Sequence, residues 1–171
     1  MRTRILLSVL CITLLTAGGG CSKSEQPAEK TEQATADAAR NHLQAQAQAG
    51  VAKLLERVVA VLDGYQAFSG HYPQQFEDLN QGDYFFDLAY LTDLVAPPFK
   101  AYILLGGSAQ PYRVWVVDGK NKVAMEQVAG GAPRTLPAAA LGDLEREFQP
   151  RSLAANVIGL APRAAAKGGA G

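Results

Sequence analysis

Val51, Leu54, Leu55, Val58, Val61, Leu62, Tyr65 and Phe68 recur at spacings of three and four, which places them on one stripe of an α-helix. Lys53, Glu56, Arg57, Ala60, Asp63 and Gln66 fall on the other side. A helix of this kind needs a second layer to cover its stripe. Upstream, Asn41 to Gln48 alternates Ala and Gln and extends the helix, although Gly50 costs it about 1 kcal/mol relative to Ala. Ser69-Gly70 ends it, because Gly takes the left-handed conformation of a C-cap and Pro73 cannot continue the turn.

Strand signals supply the second layer. Ala101 to Leu105, Tyr112 to Val117 and Lys122 to Val128 are short apolar runs separated by a Gly-Gly-Ser stretch and by Asp118-Gly119-Lys120-Asn121. They predict antiparallel strands joined by hairpins, with Asp-Gly supplying the turn chemistry. Asp83 to Val95, rich in aromatics, reads either as a short helix or as packed loop, and Pro97-Pro98 ends it. A last helix is predicted from Pro137, carrying Leu141, Leu144 and Phe148 inward and ending at Pro150. The expected fold is α+β: a long N-terminal amphipathic helix packed on a small antiparallel sheet, with a short C-terminal helix.

The beginning of the chain bears on location. Arg2 and Arg4 precede an apolar run, Ile5 to Leu15, that is too short to span a bilayer, and small residues lead to Cys21. This segment, "LLTAGGGC", resembles the lipobox of bacterial lipoproteins, with Gly18 standing where that family usually has Leu. The resemblance implies cleavage before Cys21 and lipidation of its thiol. Cys11 lies in the segment removed, so Cys21 is the one mature thiol and no internal disulfide is expected. Ser22 lacks the inner-membrane retention signal that Asp gives in such lipoproteins, so the expected location is the outer membrane, facing the periplasm. Removing residues 1–20 takes two of the 16 basic residues and none of the 16 acidic ones, and this near balance gives no reason to bind nucleic acid. The expected organisation is a signal peptide over 1–20, a lipidated cysteine and disordered tether over 21–40, a folded domain over 41–150, and a mostly disordered tail over 151–171.

The segment "LDGYQAFSGHYPQQFEDL", Leu62 to Leu79, resembles the soluble domain of type IV pilins and type II secretion pseudopilins. Leu62, Tyr65, Gly70, Tyr72, Pro73 and Leu79 carry the likeness, and Gly70, Tyr72 and Pro73 form its structural motif, the step from helix to loop. The resemblance implies a pilin-like helix across a small sheet. The family's prepilin cleavage signal and apolar first half-helix are absent, and the turn at Asp118 and Asn121 offers too few oxygens for the calcium that some pseudopilins hold.

Chemical motifs are sparse. His42 and His71 lie at opposite ends of the helix without cysteine or paired acid at ligand spacing, so no metal and no cofactor are expected. Ser69, Ser108 and Ser152 sit in no nucleophile elbow, and Gly106-Gly107 opens no helix on which to cradle phosphate. Asp78, Asp83, Asp87 and Asp93 read as a solvated loop rim, with a glycosidase pair as the catalytic alternative. Tyr112 and Trp115, on alternate faces of one strand, are candidates for a docking surface. The functional expectation is a non-enzymatic envelope lipoprotein, anchored in the membrane by lipid, that engages an envelope protein and serves a secretion or pilus system. Its rivals are a periplasmic ligand-binding or inhibitor module using Asp83 to Val95, and a cell-wall hydrolase.

Overall fold

A computed structural model of the chain describes residues 28–80, 87–106, 110–137 and 139–163. The expected signal peptide, Cys21 and the start of the tether lie outside the described residues. The chain divides into two units, Met1–Ala36 and Asp37–Gly171; the described part of the first is helical from Ala28. Helix α1 spans Ala28–Ser69. Residues 28–40, expected as unstructured tether, are therefore helical. The tether composition rules out a buried core but not a helix, because Ala, Glu, Gln and Lys are the strongest helix formers. Residues 37–46 are exposed and Ala47 is the first buried side chain.

From there α1 sinks its stripe into the core. Val51, Leu55, Val58 and Leu62 are completely buried, and Leu54, Val59 and Val61 are nearly so. Gly50 sits inside the helix because the Phe99 ring packs on it, and a Cβ there would stand 3.3 Å from that ring. The stripe stops a turn early: Tyr65 is half-buried and Phe68 is 68 % exposed. Among the described residues no helix is long and apolar enough to cross a membrane.

A short 3₁₀ turn (Phe76–Asn80) and helix α2 (Leu88–Leu94) precede strands β1 (Phe99–Leu105), β2 (Tyr112–Asp118), β3 (Val123–Val128) and β4 (Arg134–Leu136). Helix α3 (Ala140–Glu147), β5 (Phe148–Ser152) and β6 (Val157–Pro162) follow. The six strands form one sheet in the order β4-β3-β2-β1-β6-β5. Successive hairpins join β1 through β4, after which the chain passes by α3 to the opposite edge, where β6 runs parallel to β1 with Ala101 opposite Val157. The expected small antiparallel, pilin-like sheet is thus overturned: the sheet is mixed, and its last two strands come from after the C-terminal helix. The link to secretion and pilus machines, which rested on that likeness, loses its support.

Strand alternation splits the sheet into two covered faces. Ala101, Ile103, Tyr112, Val114, Val116, Val123, Met125 and Val157 join the α1 stripe in one core. Tyr102, Trp115, Val117, Ala124 and Leu160 form a second core with Leu144 of α3 and Phe148. The C-terminal helix differs from expectation in its end, since α3 stops at Glu147 and Phe148 is already extended; the side chain of Leu141 lies outside those described. Pro150 falls in β5, an edge strand, where a missing N–H interrupts no inner ladder. Residues 151–163 of the expected tail are ordered strand and turn, and Val157 and Leu160 are core.

Candidate functional site

The motif after α1 is a clamp on the helix end. Gly70, at φ 80°, donates its N–H to Gln66 O at 2.8 Å, and Ser69 Oγ donates to Tyr65 O. The chain then reverses at buried Pro73, and Tyr72 returns to the helix. Its ring meets Tyr112 edge-on at 5.4 Å, and both hydroxyls donate to Asp63 Oδ1, Tyr112 at 2.7 Å and Tyr72 at 3.4 Å. Gly70, Tyr72 and Pro73 are therefore brought together with Tyr112, but as an anchor of the helix end on β2. Burial, reinforced by the Asp63 carboxylate, pushes both phenols above the usual tyrosine range.

The sign of this shift predicts an alkaline limit. The unfolded chain ionises its tyrosines near pH 10 while the folded one resists, so the contribution is full below about pH 10 and is lost as pH rises toward the folded value. Tyr112 alone adds a slope of up to about 1.4 kcal/mol per pH unit there. Tyr112→Phe should flatten that slope in denaturation midpoints recorded above about pH 10; an unchanged slope would remove the clamp's role in it.

Tyr112 and Trp115, expected as a docking surface, are each 1 % exposed and lie in different cores. This corrects the expectation: both faces of the sheet are covered, so an aromatic strand here is interior. Trp115 leads instead to a polar cluster that the sequence reading missed. Trp115, Glu126 and Arg134 lie directly opposite one another on β2, β3 and β4. Glu126 is 3 % exposed, and its Oε2 accepts from Trp115 Nε1 at 3.2 Å. Arg113 Nε donates to Oε1 at 2.9 Å, and Arg134 Nη2 donates to Oε1 and Oε2 at 2.9 and 3.0 Å. The Arg113 guanidinium also lies 4.9 Å from the Trp115 ring centroid. Beside the cluster runs a groove of about 330 Å³ lined by Gln127, Val128, Gly131 and Ala132 as well.

A second groove lies on the other face, between α1, α2 and the entry to β1. It measures about 320 Å³ and is walled by Leu54, Leu94, Ala96, Pro97 and Phe99, with Lys53 and Arg57 one helical turn apart on α1. Arg57 also borders a separate hollow of about 160 Å³ lined with Ala60, Val61 and Tyr90. Among the described residues neither lining contains an acidic residue.

The acids of the loop region do other work. Asp78 accepts from the Gln74 and Gln75 amides at 2.9 and 3.1 Å, which holds its carboxyl below the usual range. Asp87 caps α2 by accepting from Tyr90 N at 2.6 Å. Asp93 is exposed, and Asp83 lies outside the described residues. Asp118 closes the β2–β3 turn by accepting from the Lys120 and Asn121 amides. His42 and His71 are both exposed, and among the described residues no three His, Cys, Asp or Glu side chains gather as a metal site. No protein-family model, curated protein or solved structure matches the chain.

Proposed function

We propose that the chain is an envelope protein tethered by lipid at Cys21, whose folded unit is a non-enzymatic protein-binding module using the groove between α1 and α2. The observation behind this reading is the pair Lys53 and Arg57, exposed above an apolar floor, with no acid among the described residues of the lining. Such a surface suits a protein segment that places an acidic residue beside an aliphatic or aromatic anchor, since charge steers the encounter and the apolar contact supplies affinity. The tether is supported by the signal-like start and "AGGGC" before Ser22. Several acyl chains on one residue anchor firmly, where a single chain binds only marginally.

A ligand-binding reading has its own support. The segment from Asp83 to Val95, expected to capture a ligand, contributes Leu94 to the groove wall and Tyr90 to the neighbouring hollow, and about 320 Å³ is at the small end of ligand sites. Photocrosslinking separates the two. A photoreactive residue at Ala60, which is exposed and borders the neighbouring hollow that shares Arg57 with the groove, should yield a protein adduct in cells, and Arg57→Glu should abolish it. The same probe at Glu147, exposed on α3, should not yield that adduct. An adduct at Ala60 that survives Arg57→Glu, or none at all, rejects the protein-binding reading. In the same cells Cys21→Ser should move the protein from the membrane to the soluble fraction; retention at the membrane rejects the lipid tether.

A further inference from the structure

Arg113 and Arg134 present two guanidinium groups to one buried carboxylate, which among the described residues leaves one positive charge in excess. The side chains are 33 % and 63 % exposed, so both reach solvent beside the groove. Their donors are only partly used. Glu126 engages Nε and Nη2 of Arg113 and only Nη2 of Arg134. Among the described residues, Nη1 of Arg113 and Nη1 and Nε of Arg134 donate no hydrogen bond.

The usual reason for an arginine to bind anions weakly is that a long, mobile side chain must be immobilised. Here that ordering is already in place. Arg113 is fixed by Glu126 and by stacking on Trp115, and Arg134 is fixed by donating to both oxygens of Glu126. Glu126 is itself held by the Trp115 indole. The adjoining groove adds backbone and small side chains at Gly131 and Ala132 and an apolar wall at Val128, in a volume of about 330 Å³.

We infer that this cluster is a binding site for an oxyanion, a carboxylate or phosphate on a small organic body, taken up by the remaining donors of Arg113 and Arg134. Glu126 acts as the positioning residue that aims both guanidiniums. The site lies on the sheet face opposite α1, so it is independent of the Lys53–Arg57 groove.

Trp115 is the only tryptophan in the chain, and it touches both Glu126 and Arg113, so its emission reports on the site. The full protein is titrated with succinate and, separately, with inorganic phosphate, with sodium chloride at matched ionic strength as reference. The expected result is a saturable change in Trp115 emission, with half-saturation no weaker than about 10 mM, for succinate, phosphate or both. The arm that saturates at lower concentration identifies the oxyanion preferred. Arg134→Gln, at an exposed position and with Arg113 still paired to Glu126, should weaken binding at least about tenfold, as expected for loss of charge-assisted donors. Arg57→Gln should leave the titration unchanged. If the arginines only tie β2, β3 and β4 together, neither anion will differ from chloride. That result, or an Arg134→Gln curve that overlays the parent, overturns the proposal.

Discussion

Leu62→Ala is expected to lower the unfolding free energy by about 2–5 kcal/mol, the usual cost of emptying a fully packed leucine site. Leu62 has no exposed surface and shares a core with Val114, Val116 and Ile103 across the α1–sheet interface. Several members of that core, Val58, Ile103, Val114 and Val116 among them, are β-branched with stiff rotamers, which limits how far it can collapse into the hole. A loss of this size is a large part of the 5–15 kcal/mol typical of a domain. Leu43→Ala, on the same helix but 61 % exposed, should change stability by less than about 0.5 kcal/mol. Denaturant titrations of both variants decide the matter. A shift in the Leu62→Ala midpoint with an unchanged slope reads as lost packing. A midpoint equal to the parent's would mean that α1 is not seated on the sheet.

The helix was legible because its signal is long and redundant: a 3.6-residue period over eighteen positions leaves little freedom in which face is buried. Strands β1 to β3 were legible as well, since each apolar run is bounded by Gly or Asp-Gly turns. The rest depended on information no local window holds. Tyr112 and Trp115 looked like a docking strip because β2 has little polar alternation. That same lack of alternation marks a strand covered on both faces, by α1 on one side and by Leu144 and Phe148 on the other. Glu126 is an unremarked acid in the sequence; its meaning comes from a register that sets it between Trp115 and Arg134. The helix-to-loop motif at Gly70, Tyr72 and Pro73 describes how a helix ends and says nothing of strand order. Strand order turned on Val157 to Pro162, a short run with a glycine and a proline, which composition alone reads as tail.

That run gives the largest effect expected for this chain. A protein ending at Ser152 should lose cooperative unfolding altogether. β6 lies between β1 and β5, so its removal deletes the partner of Ala101 to Leu104 and leaves β5 with no partner at all. Val157 and Leu160 leave both cores, each taking roughly 1.5–3 kcal/mol of burial with it. Asn156 goes too, and with it the bond from its Nδ2 to Val95 O and the acceptor of the Ala101 amide. The exposed edge of β1, apolar and four residues long at the break, is then a template for aggregation. A protein ending at Arg163 keeps all six strands and should unfold with the parent's midpoint and slope. The point substitution Gly159→Val probes the same strand without shortening the chain. A Cβ at Gly159 would stand 2.6 Å from the Phe76 ring and 3.2 Å from Leu153, so the Phe76 ring must shift to admit it. Overpacking of that kind costs about 1–3 kcal/mol, less than truncation but well above the error of a melt. If the Ser152-terminated protein instead unfolds in one transition at the parent's midpoint, β6 is not part of the sheet and the mixed topology is wrong.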